Sequence, residues 1–170
     1  MRTFKVIFNT VKSMSFKKIL KLLLAVVPHP LFSMLSFYAT VKAFSIAQKL
    51  YPETASKNGE GNAFRHAFWC CLIMMYCSKI SSPEKALVFC KKITDLHEDL
   101  FPNEPLETKM DLHNNKVGMD YFMELLPGIH RQFFEKNFFI EELKKKTAAA
   151  KVLKNLDDDF KGELVYLDEK

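Results

Sequence analysis

The stretch Gly61–Trp69, GNAFRHAFW, sets Asn62, Arg65 and His66 among large apolar residues. Two further polar groups follow: Asp95, His97 and Glu98, then Asp111, Asn114, Asn115 and Gly118 in MDLHNNKVG. Asn62, His66 and Trp69 share one helical face at i, i+4, i+7, with Arg65 beside it. His66, His97 and Asp111 offer two imidazoles and a carboxylate, a donor set that suits a divalent metal such as Zn²⁺ or Fe²⁺ with a position left for water. Glu98 is then the expected general base on that water, or a further ligand. With His66 and His97, Glu98 and Arg65 form the candidate catalytic set, Arg65 gripping an anionic oxygen such as phosphate in a forked contact. Asn62, Trp69, Asn114, Asn115 and Gly118 form the surrounding layer that orients these groups.

The same residues also admit a purely structural reading. Arg65 could pair with Glu98 or Asp111, and the imidazoles and amides could satisfy one another inside a bundle. No HExxH spacing follows His97-Glu98, and no Walker loop, dinucleotide fingerprint, GxSxG elbow or RNA-binding aromatic motif is present. Gly118 inside a helix costs about 1 kcal/mol against Ala, so close approach of a helix or ligand is expected there. His130, in the first turn of the last expected helix, is a further candidate for the same cavity.

The elements that must position these groups read as helices. Apolar residues make up 48% of the 170-residue chain, and only 5 Gly and 7 Pro occur, which favours a folded domain of long helices. The expectation is an all-α, single-domain bundle of five to seven helices. It divides into a basic amphipathic N-terminal extension (1–30), a bundle carrying the polar groups (31–160) and a tail (161–170). Helices are expected at 3–14, 16–27, 31–50, 62–78 with Asn62 as cap, 83–99 with Ser82 as cap, 107–126, and from about 129 to 156. Leu31, Leu35, Tyr38, Val41 and Ile46 are the expected inward face of the 31–50 helix, and Leu164–Leu167 a short edge strand.

Charge is uneven. Residues 1–50 hold eight Lys or Arg and no Asp or Glu, while residues 51–170 hold seventeen basic and twenty acidic residues. The basic part points to an anionic membrane surface or an acidic protein as partner, ahead of nucleic acid. Phe4, Ile7, Phe8, Val11 and Met14 recur at helical spacing among lysines, so the first helix either lies on lipid or packs on the domain. Leu22–Val41 is long enough to span a bilayer, but Pro28-His29-Pro30 breaks it. The four cysteines lack a CxxC pair and read as buried free thiols in a reducing, cytoplasmic setting.

NAFRHAFW, HE and MDLHNNKVG in this order resemble a poorly characterised bacterial helical domain with the pattern D-A-F-R-H-A-x-W, H-E and M-D-L-x-N-N-x-x-G. The resemblance covers about residues 43–125. It implies a small helical domain, found alone and at the ends of toxin-like polypeptides, and names no reaction. Arg65, His66, Trp69, His97, Glu98, Asp111, Asn114, Asn115 and Gly118 match it, and Asn62 stands where the pattern has Asp.

Overall fold

Serine and proline punctuation sets most of the helix starts in the computed structural model, which describes residues 14–168. Ser15 accepts a hydrogen bond from the Lys18 amide and opens α1 (Phe16–Val26). Pro30 opens α2 (Pro30–Leu50). Gly59 precedes α3 (Glu60–Ile80). Ser82 caps α4 (Pro83–Leu100), and a Glu104/Glu107 capping box starts α5 (Pro105–Leu125). A single 3₁₀ turn (Arg131–Phe133) precedes α6 (Lys136–Ala148). Two two-residue strands, β1 (Lys151–Val152) and β2 (Val165–Tyr166), pair in parallel with Lys151 opposite Val165. The fold is thus an all-α bundle, with six α-helices among the described residues.

α3 is the axis of the bundle. Its apolar residues run round the whole helix, from Phe64 and Phe68 to Cys70, Cys71, Ile73, Met74 and Cys77, all fully buried. A helix apolar on every side belongs in the centre of its fold, and α2, α4, α5 and α6 pack around it. α5 comes closest. A Cβ built on Gly118 would lie 2.2 Å from the Ala67 carbonyl oxygen, so a second helix, rather than a ligand, occupies the space that this glycine leaves.

Several expectations shift. Helix α3 begins two residues early, with Gly59 at its N-cap, so Asn62 lies inside the helix and its side chain is free for other partners. On α2 the buried residues are Ser36, Ala39, Ala43 and Ala47, while Leu31 and Tyr38 are exposed. Small residues one turn apart let α2 and α3 approach closely, and that gain turned the larger side chains outward. The expected last helix is broken. Phe134 is fully buried in extended backbone, its ring 4.7 Å from Phe122 and 5.7 Å from Phe139, and this packing holds the chain off the helical path before α6. Helix α6 stops at Ala148 because Lys151 and Leu153 bond instead to the carbonyls of Leu164 and Tyr166. The segment placed in the tail is integral: Leu164 and Val165 are fully buried, the latter in a small second core with Met110 and Leu153. Of the N-terminal helices, α1 is described. The helix expected at 3–14 lies outside the described residues but for Met14.

α2 is also the one helix among the described residues long and apolar enough to cross a membrane, with a mean hydropathy of 1.2 over its best window. Its alanine face is packed on α3.

Candidate functional site

α3 and α5 face each other closely enough at Gly118 to bring two rows of polar side chains into register. From α3 come Asn62, Arg65 and His66, and from α5 come Asp111 and Asn115; the last turn of α4 adds Glu98. Asn62, His66, Glu98, Asp111 and Asn115 are all at least 93% buried.

Hydrogen bonds order this group. Arg65 donates to the Ala55 carbonyl at 2.7 Å and, through its other terminal nitrogen, to Asn62 Oδ1 and to His66 Nε2 at 3.0 Å. His66 Nδ1 lies 3.1 Å from Asn115 Oδ1, an atom that can only accept, so His66 carries its proton on Nδ1 and presents a lone pair at Nε2. That lone pair accepts from Arg65, and Nε2 also lies 3.3 Å from Asp111 Oδ1. Asn62 donates to the same Asp111 oxygen at 3.3 Å. Glu98 Oε1 and Asn115 Nδ2 are buried without a hydrogen-bond partner.

One donor atom each from His66, Glu98 and Asp111 lies within 4.8 Å of the other two, close enough for the three to share a cation. Two members of the expected metal trio, His66 and Asp111, therefore meet, and Glu98 joins them. His97 stands one layer out, its ring 6.4 Å from His66, 5.4 Å from Trp69 and 5.1 Å from Phe101. Trp69 packs edge-on to both imidazoles and donates its indole N–H to Thr40 at 2.9 Å, which fixes its plane as a wall. Asn62 and Asn115 hold the central groups, as an orienting layer would. Asn114 turns away and exchanges two hydrogen bonds with the Val165 backbone, at 2.8 and 3.0 Å. His130 caps the 3₁₀ turn instead, accepting from the Gln132 amide. Sequence reasoning missed Asn103, whose amide donates to Asp111 Oδ2 at 3.5 Å from the loop before α5. Its place between Pro102 and Pro105 was the available signal.

Burial and charge crowding set the protonation. Burial, with help from Asp111, pushes the Glu98 carboxyl up to about 8. Asp111 rises to about 6 for the same first reason, with Arg65 opposing. Burial drives His66 well below its ordinary value, and Arg65 adds to that fall. His97 drops to about 4, again through burial and then Arg65. Arg65 itself is lowered by burial, and among the described residues no carboxylate lies within ion-pair distance of it. The centre therefore combines neutral imidazoles, proton-hungry carboxylates and a cation bonded to neutral acceptors, and such perturbation is characteristic of functional sites.

A cavity of about 390 Å³ reaches this centre. Arg65, His66, Trp69 and His97 line its polar end, and Leu22, Phe44, Ile93 and Leu96 its apolar length between α1, α2 and α4. Cys70 Sγ donates a weak hydrogen bond to Asn115 Oδ1 at 3.5 Å; all four cysteines are free and buried, and burial raises Cys70, Cys71 and Cys77, the last to about 12.

No curated protein and no solved structure matches this chain. A family model does match, over residues 23–151, a span that holds α2 to α6 and every residue of the polar centre. The bundle and its buried His66–Glu98–Asp111 group thus lie within a shared domain, and the chain belongs to the family described as Domain of unknown function (DUF6973).

Proposed function

We propose that this domain is a metal-dependent hydrolase acting on phosphoesters, lipid phosphoesters included. One observation carries the reading: His66 Nε2, which Arg65 now bonds, converges with Asp111 Oδ1 and the Glu98 carboxyl, whose Oε1 has no partner, in a buried space. A cation there would replace the N–H groups of Arg65 and Asn62 that now bond His66 Nε2 and Asp111 Oδ1. His66, Asp111 and Glu98 would hold a divalent ion, with zinc suited to the donor set. Such an ion lowers the pKa of water and offsets charge on the phosphoryl group. The free Glu98 oxygen takes the proton of the attacking water. The water oxygen bonds to phosphorus as the ester P–O bond breaks, and the proton passes on from Glu98 to the departing alcohol oxygen. Arg65 holds a non-bridging oxygen, and neutral His97 at the cavity wall orients the ester. A lytic activity of this kind would suit the toxin-like setting that the sequence resemblance implies, and the basic N-terminal part would bring the domain to an anionic membrane surface from the cytoplasm.

Elemental analysis of the purified chain tests this. We expect one transition-metal ion per chain, lost at least tenfold in Asp111→Asn and Glu98→Gln but retained in His97→Ala, together with turnover in a phosphodiester screen that only the metal-loaded protein shows. Equal metal content in folded Asp111→Asn would overturn the assignment of ligands. A second reading rests on the bonds linking Asn62, Arg65, His66, Asp111 and Asn115, which tie α3 to α5 as a structural network in a non-catalytic interaction protein. Absence of metal and turnover, with Arg65→Ala destabilised but still binding its partner, would favour it.

A further inference from the structure

α1 is apolar on two faces. Leu22 and Ala25 turn inward, Leu22 onto the cavity, while Phe16, Leu20, Leu23, Leu24 and Val27 form a stripe at i, i+4, i+7, i+8, i+11 on the outside. Phe16, Leu24 and Val27 are 82, 66 and 67% exposed, and Leu31 and Met34 of α2 continue the patch. A surface helix ordinarily directs polar residues to water, and an apolar patch rimmed by charge marks a contact surface. The only polar residues of α1 are Lys17, Lys18 and Lys21. Two of them fasten it over the cavity mouth: Lys18 donates to the Leu100 carbonyl, and Lys21 pairs with Asp99 at 2.6 Å.

Resting on the hydrolytic reading above, we infer that α1 lies on an anionic lipid bilayer as a lid, and that the cavity beneath it takes one acyl chain of a phospholipid with its phosphate at Arg65. The cavity lies within the roughly 300–1,000 Å³ of small-molecule sites and is apolar except at the end where Arg65, His66 and His97 stand. Its roof is the very helix whose outer stripe would sink among lipid tails, so docking and chain entry share one element. Charge selects the occupant. α1 carries Lys17, Lys18 and Lys21 and no Asp or Glu, so anionic headgroups are attracted, whereas α1 of a second copy would meet like charge.

The full-length protein is tested with phosphatidylglycerol-containing and pure phosphatidylcholine vesicles, and with a lysophosphatidylglycerol brominated on its acyl chain. Trp69, the single tryptophan, lines the cavity and reports chain entry by quenching. We expect sedimentation with the anionic vesicles only, weakened at least tenfold in Leu24→Asp/Val27→Asp. Quenching of Trp69 should be lost in Leu22→Phe/Leu96→Phe and kept in Glu98→Gln. Vesicle binding untouched by the α1 variant, or quenching untouched by the cavity variant, would overturn the inference. So would a dimer in solution that Leu24→Asp/Val27→Asp converts to monomer without any vesicle binding. Turnover of a soluble phosphodiester without lipid binding would remove this inference and leave the hydrolase. Lipid binding without metal or turnover would remove the hydrolase and leave the lipid site.

Discussion

Glu98 and His97 are chain neighbours with opposite protonation preferences, and the contrast gives the metal-free protein a pH signature. An unfolded Glu titrates near 4.3 and His near 6.5, whereas the folded protein holds Glu98 at about 8 and His97 at about 4. Between roughly pH 4.5 and 6.5 the fold keeps protons on Glu98 and Asp111 that the unfolded chain has released. Over the same range it excludes protons from His66 and His97 that the unfolded chain keeps, so the slopes oppose. Above about pH 6.5 the Glu98 proton alone distinguishes the two states, and stability falls as pH rises toward 8, on the order of 1–2 kcal/mol after solvent screening. Urea midpoints of the chelator-treated protein should show that fall, and Glu98→Gln should abolish it; parallel decline in both proteins would refute the assignment. The polar residues of this site were legible in the sequence because they interrupt apolar helices. Which of His97 and Glu98 faces His66 was not, since adjacent helical residues point about 100° apart and one residue of phase decides.

At the level of elements, close approach of α3 to α5 depends on Gly118. We expect Gly118→Ala to cost about 3 kcal/mol or more, because the new methyl meets backbone that cannot yield; thermal melting checks this, and a near-neutral variant would mean that the helices can part. Asn114→Ala should cost about 2–4 kcal/mol by stranding both backbone groups of Val165, and hydrogen exchange should then rise first across 151–167. The start of α4 was legible through Ser82 and Pro83, whereas α5 opens at Pro105, two residues before the expected 107. The buried face of α2 was not, because periodicity in large residues pointed to Leu31 and Tyr38 while packing chose Ala39, Ala43 and Ala47. The break before α6 was hidden for a related reason: nothing local stops a helix through Phe133 and Phe134, and packing of the Phe134 ring on Phe122 and Phe139 makes the bend worthwhile.

For the molecule as a whole, composition foretold an all-α bundle, and a 21-residue, largely apolar central helix is the physical form that it takes. The same axis shelters every thiol. Native protein should therefore react with an aromatic disulfide reagent at least a hundredfold more slowly than unfolded protein, which should release four thiols; fast reaction of even one would show that α3 opens readily. What composition could not disclose is the partnership between distant segments, since buried Asn114 of α5 finds its hydrogen bonds at Val165, 51 residues on. That partnership has a consequence for how the molecule is made. During synthesis α3 and α5 leave the ribosome well before β2, so the helix carrying Asp111 and Asn115 waits with a bare Asn114 amide until the final strand emerges to clasp it. The site is thus completed last, by residues that never touch it: a nascent chain interrupted before Leu164 would carry His66 and Glu98 on α3 and α4, but Asp111 on an α5 that Val165 does not yet hold.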